Sequence, residues 1–202
     1  MKIIAPQESV GRMLRWAYGM LLAMGLSMLA YCAYVLGDTW VFQHRTQAVL
    51  ARQLPEDNTE KTGVLPTPEA MAPGGLIGSI AIARLGVLAT IVEGTDTANL
   101  RRAVGHVEST GMPGRPGNIG LAGHRDTFFR PLKDIRADDI ITVTTVEGEY
   151  RYRVISTRVV VPTEVSVLDR SEAEILTLVT CYPFYFLGSA PDRFIVRAER
   201  IS

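Results

Sequence analysis

Cysteine is nearly absent from this chain, with two in 202 residues, at positions 32 and 181. The first lies inside a long uncharged run, so a disulfide would require both thiols to meet at a membrane, and a stapled extracellular scaffold is excluded. No Cys-x-x-Cys pair or His-rich spacing is present, which leaves no zinc signature. Histidine is scarce too, at positions 44, 106 and 124 only, and lysine occurs only at 2, 61 and 133. An excess of charge is also missing: 21 basic and 21 acidic residues give a formal net charge of zero. A nucleic-acid binder normally shows a basic excess or stripe, so nucleic acid is not an expected partner.

What the N-terminal region does have is a hydrophobic run. Trp16 to Leu36 carries no charge and matches the roughly 20 residues a helix needs to cross a bilayer core. Trp16 and Tyr18 at one end, with Tyr31, Tyr34 and Trp40 towards the other, fit interfacial aromatic belts. A signal peptide would have an apolar core of about 7–15 residues ending in a small-x-small site; this run is longer and ends in Val35-Leu36-Gly37-Asp38. A lipoprotein cysteine at position 32 would want a small residue before it, where Tyr31 stands. The expectation is an uncleaved transmembrane helix over 16–36. Lys2, Arg12 and Arg15 precede it and Arg45 and Arg52 follow, which places residues 1–15 in the cytoplasm and the bulk of the chain outside.

Residues 40–54 place Trp40, Val41, His44, Ala48 and Ala51 on one helical face. They are read as a short amphipathic stem helix, with His44 an interfacial residue without chemistry. Residues 55–75 hold four prolines and three glycines and read as a linker. Stem and linker together cover 37–75, leaving 76–202 as a separate domain.

That domain is rich in short β-type runs: Ile77–Ala83 and Val87–Val92 about a Gly86 turn, Asn118–Ala122, Ile140–Thr145, Tyr150–Val161, Ile175–Thr180 and Phe194–Ala198. Asp96 is a candidate N-cap for a short helix through Leu100 to Ala103. Phe128–Ile135, which contains Pro131, reads as a short helix or turn. About eight strands with little helix fit an all-β barrel or sandwich.

Chemistry concentrates at Leu176-Thr177-Leu178-Val179-Thr180-Cys181, an apolar strand that ends in a thiol. A buried cysteine taken singly is more often a small hydrophobe than a nucleophile. Outside the cell, however, an unpaired thiol calls for a reason. A thiol with its usual pKa near 8.5 needs a nearby cation or base to react at neutral pH. His124, at the end of the strand 118–122, supplies a base, and Arg193, which opens the last strand, supplies a fixed charge.

Leu178-x-Thr180-Cys181, Arg193 after a short loop, and Gly123-His124 upstream together resemble the sortases, membrane-anchored cysteine transpeptidases. Gly105-His106, Pro113-Gly114-Arg115-Pro116-Gly117-Asn118 and Leu121-Ala122-Gly123-His124-Arg125 are similar to that family's approach to its catalytic histidine. Cys181-Tyr182-Pro183-Phe184 followed by Gly188-Ser189-Ala190-Pro191-Asp192-Arg193 is most like the class D branch. The resemblance covers nearly all of 76–202. It implies an eight-stranded β-barrel with a few short helices, and Cys181, His124 and Arg193 as catalytic residues. Thr180, His106 and Tyr182 are then supporting or substrate-binding candidates.

The implied reaction cleaves an LPxTG-like C-terminal sorting signal through a thioacyl-enzyme intermediate. The acyl group then passes to an amine such as a cell-wall peptide or a pilin lysine, with hydrolysis as a side reaction. No cofactor is expected. Some sortases bind calcium, but Glu164, Asp169, Glu172 and Glu174 read as a solvated acidic loop, since oxygen ligands must converge from several directions. A membrane-tethered, non-catalytic β-domain that binds peptides or partner proteins is the alternative from another class.

Overall fold

The computed structural model describes residues 7–53, 74–186 and 188–201, which fall into two units, one ending at Val41 and the other starting at Phe42. The N-terminal unit is helical. Its helix, α1, runs Gln7–Gln53 without the break expected between an anchor at 16–36 and a stem helix at 40–54. The reason is compositional: Pro6 and Pro55 bracket the helix and no proline lies between them, whereas a single Gly37 costs a helix only about 1 kcal/mol. Within α1, Gly11–Val35 is long and apolar enough to cross a membrane, with a mean hydropathy of 1.5 and none of it buried. The expected linker falls mostly on residues 54–73, which lie outside the described residues, as do the side chains of Trp40 and His44.

The C-terminal unit is a closed eight-stranded barrel. Its strands are β1 (Leu76–Ile82), β2 (Val87–Glu93), β3 (Val104–His106), β4 (Gly117–Ala122), β5 (Ile140–Thr145), β6 (Glu149–Val160), β7 (Glu174–Tyr182) and β8 (Asp192–Arg200). They close in the order β1-β2-β3-β4-β7-β8-β6-β5. Only β2–β3 and β4–β7 pair in parallel. Seven of these strands coincide with apolar runs in the sequence. The eighth, β3, is too short and glycine-centred to show any alternation. Gly105 is obligatory there, because a Cβ would stand 2.4 Å from the Gly94 carbonyl oxygen.

The core fills the barrel with Ile80, Ile91, Ile119, Leu121, Ile141, Val143, Leu176, Leu178 and Val196, each buried to within 1%. β4 is buried along almost its whole length, as befits a strand paired in parallel and covered on both faces. The imperfect alternation in β6 has a structural cause: its register with β8 shifts between Val154 and Ser156. That bulge turns Ile155 outward, leaving it 45% exposed.

The turn from β4 to β5 holds a 3₁₀ segment, Arg130–Asp134, where the sequence predicts a helix or turn. The short helix α2 spans Thr97–Arg102 and is capped as expected, with Asp96 Oδ1 accepting from the amides of Ala98 (2.8 Å) and Asn99 (3.1 Å).

Candidate active site

Three neighbouring strands bring the candidate residues to one level of the barrel rim. β4 and β7 run in parallel with Ala122 opposite Val179. The register continues past the end of β4: the Gly123 amide donates to the Val179 carbonyl (3.1 Å), and Thr180 Oγ1 donates to the Gly123 carbonyl (2.8 Å). His124 therefore leaves the sheet level with Cys181. On the other side of β7, Cys181 pairs with Arg193 of β8, and Val160 at the end of β6 lies opposite Arg193. Adjacent strands are about 4.8 Å apart, so His124, Cys181 and Arg193 come to one level of the rim on neighbouring backbone segments.

Each residue is fixed by its own local device. The turn after Gly123 is held by Phe129, which is fully buried and whose amide donates to the His124 carbonyl (3.1 Å). A Cβ at position 123 would come within 2.7 Å of the Phe129 ring, so glycine is what lets that ring close under the histidine. Cys181 is a free, half-buried thiol. Among the described residues neither its sulfur nor the His124 imidazole has a hydrogen bond or ion pair. Both residues are half-buried. Arg193 Nη1 donates to the carbonyls of Asp192 (2.9 Å) and Ala190 (3.4 Å), in the segment that precedes it.

The supporting candidates separate into different roles. Thr180 is 2% exposed and its hydroxyl is committed to Gly123, so it ties the cysteine strand to the histidine turn. Tyr182 lies beside the cysteine and joins an aromatic cluster, stacked on Phe194 (centroids 6.2 Å apart) and edge-on to Phe184 (6.0 Å). His106 does not reach the rim. It is buried in β3 with Nδ1 2.9 Å from Glu93 Oε2 and Nε2 2.9 Å from the Gly111 carbonyl oxygen. The Thr110 hydroxyl oxygen also lies 3.0 Å from Nε2, so the ring is engaged at both nitrogens.

The acidic residues 164–174 do not converge. Glu174 is taken up by Arg200 Nη1 (3.0 Å), the Tyr152 hydroxyl (2.5 Å) and the Gly114 amide (2.8 Å). Glu164 accepts from the Ser166 hydroxyl. Among the described residues no three His, Cys, Asp or Glu side chains are grouped as a metal ion would require.

Two residues quoted only within motifs have structural work, Arg125 beside this rim and Asn118 at the other end of β4. Asn118, buried in β4, donates through Nδ2 to the carbonyls of Val167 and Asp169 (3.0 Å each) and accepts from Thr177 Oγ1 (2.6 Å). It thereby pins the segment between β6 and β7. Arg125 donates into the segment between β7 and β8. The sequence signal available was their position, a polar residue entering a buried strand and a cation next to its exit.

Comparisons with known proteins bear on the family. A family model for the sortase domain matches residues 80–201. The chain is 32% identical to Sortase D of Bacillus subtilis (strain 168) over 190 residues, covering 90% of this chain and 96% of that protein. It is 37% identical to Sortase A of Listeria monocytogenes over 110 residues, 52% of this chain and 49% of that one. Among solved structures, a Clostridium perfringens Sortase D5 transpeptidase aligns with a TM-score of 0.60 at 32% identity, over 66% of this chain and 84% of its own.

Proposed function

The chain belongs to the sortase family, and from that premise we propose that it is a membrane-anchored cysteine transpeptidase acting on proteins that carry an LPxTG-like C-terminal sorting signal. The observation that carries the reading is the alignment of His124, Cys181 and Arg193 on three adjacent strands at one rim.

In this reading Cys181 Sγ attacks the carbonyl carbon of the scissile peptide bond while His124 takes the thiol proton. The C–S bond forms, the carbonyl π electrons move to oxygen, and Arg193 faces the developing oxyanion. A guanidinium is a fixed cation with several N–H donors, which suits that task. Collapse breaks the C–N bond, and His124 returns the proton to the leaving amine. The thioester then meets an amine nucleophile, such as a cell-wall peptide or a pilin lysine, and a second attack regenerates the thiol. Water in place of the amine gives hydrolysis.

Apolar side chains stand on the segments flanking the rim. Val161 and Val165 follow β6, and Tyr185 and Phe186 follow β7, with 54%, 69%, 73% and 46% exposure respectively. They suit a signal containing leucine and proline. The apolar run 16–36 anchors the enzyme, with the barrel outside the cell and Lys2, Arg12 and Arg15 inside.

The test is to offer the full-length protein, in detergent, a library of Leu-Pro-containing peptides with a panel of amines. Transfer that requires Cys181 is expected. Turnover that survives in Cys181→Ala overturns the assigned nucleophile. Absence of turnover, with Cys181 alkylated no faster than free cysteine, favours the non-catalytic peptide-binding domain.

A further inference from the structure

Arg125 is the residue after His124, yet its side chain reaches the segment on the far side of Cys181. Nη1 donates to the Pro183 carbonyl (2.9 Å), and Nη2 donates to the carbonyls of Phe186 (2.8 Å) and Gly188 (2.9 Å). The guanidinium carbon lies 5.8 Å from the centre of the Phe186 ring. Among the described residues, no backbone–backbone hydrogen bond forms within the stretch between β7 and β8. A segment without its own ladder takes its shape from what its carbonyls find. Here they find Arg125 and, at the end nearer β8, Arg193, which holds Ala190 and Asp192. A planar fork reaches these three carbonyls from two separate nitrogens in fixed directions, whereas an ammonium would have to gather all three around one atom.

The same turn is also anchored from beneath, because Phe129 fixes the His124 carbonyl. The two ends of the Arg125 bridge are therefore a rigid turn that carries the imidazole and a segment that carries the exposed Tyr185 and Phe186. We propose that Arg125 is a positioning residue: it locks the β7–β8 segment to the His124 turn and so sets how tightly a peptide is held beside Cys181. The effect on peptide binding rests on the transpeptidase reading; the lock itself does not.

Two measurements on the full-length protein in detergent keep these apart. The first is amide hydrogen exchange in Arg125→Ala, with the barrel strands as an internal control of folding. Exchange is expected to speed up over residues 183–191 and to stay unchanged in β4, β7 and β8. Equal exchange over 183–191 in variant and wild type overturns the lock.

The second is steady-state kinetics with the Leu-Pro peptide that wild type turns over fastest. A fall in kcat/KM of about ten-fold is expected, within the roughly 10²-fold that a displacement of about 1 Å away from the chemistry can cause. The loss should fall on KM, with the rate of Cys181 alkylation by iodoacetamide unchanged. A loss confined to kcat overturns the positioning role. Arg125→Lys should recover part of the lost affinity, and full recovery overturns the three-carbonyl geometry. If Arg125→Ala does not fold, the lysine variant carries both measurements, with faster exchange over 183–191 still required. A wild type that turns over no peptide sinks the transpeptidase reading, while the exchange measurement still decides the lock.

Discussion

His106 sits in β3 with 1% of its surface exposed and both ring nitrogens bonded. His124, in the turn that leaves the neighbouring strand, is half-buried, and its ring bonds to nothing among the described residues. The two regions use the same side chain to opposite ends. Around His106 every polar atom is spent. Glu93 takes one nitrogen, Gly111 takes the other, and Thr110 Oγ1 accepts from the Gly120 amide and donates to the Val107 carbonyl. Such a network locks β2, β3 and β4 together and leaves no lone pair for a substrate. At the rim the scaffold is equally rigid, through Thr180, Gly123 and Phe129, but the rigidity stops at the backbone. The imidazole and the thiol are left free, which is the condition for proton transfer and attack.

The contrast can be broken most sharply at the rim. Replacing Cys181 by Ala is expected to lower turnover of a Leu-Pro peptide by about 10⁴-fold or more, as loss of a nucleophile does elsewhere, with the melting temperature essentially unmoved. Replacing Arg193 by Ala should lower kcat by about 10²–10³-fold, the range for one lost oxyanion donor. A smaller loss would show that its bonds to Ala190 and Asp192 are its main role.

The His106 region should behave in the reverse manner. Replacing Glu93 by Ala leaves a buried ring nitrogen without its partner and is expected to cost about 2 kcal/mol of unfolding free energy, within the range for an unsatisfied buried polar group. Turnover per folded molecule should be retained. Denaturant unfolding alongside active-site titration would check this. A variant that is stable but inactive would erase the distinction between the two histidines.

A milder and pH-dependent effect is expected at a third place, Arg84–Asp139. Both carboxylate oxygens of Asp139 lie 2.5 Å from guanidinium nitrogens of Arg84. That hydrogen-bonded pairing holds the carboxyl below its ordinary value, although partial desolvation opposes the shift. A depressed folded-state value contributes stability above the unfolded carboxyl pKa of about 3.9, and that stability is lost as pH falls through the folded value. Asp139→Asn should therefore lower the melting temperature at pH 7, and the deficit should close on acidification to about pH 2–3. A deficit independent of pH would assign the effect to packing.

Much of this molecule was legible in the chain. Seven strands announced themselves as β-branched or alternating runs, Asp96 as a cap and Gly86 as a turn, because these are local properties of the backbone. Arg193 and His124 were legible as the charge and base nearest in pattern to a lone thiol. β3 was not, since three residues centred on a glycine carry no periodicity. The bulge at Val154–Ser156 showed only as a blemish in an alternation. His106 and His124 each follow a glycine, and only the apolar strand before His124 set it apart; nothing local showed that His106 is bonded at both nitrogens.

The sequence by itself determined that there is one apolar stretch able to span a bilayer, a separate β-rich domain, and a single thiol in that domain with two histidines to choose from. Those follow from composition and short-range periodicity. Only the tertiary structure decided which histidine stands level with Cys181 and that Arg193 is its partner across β7. The same holds for Thr180, which ties one strand to the next, and for Arg125, which bridges two segments. These are facts of register between strands far apart in the chain, and register is set by how the whole barrel closes around its core.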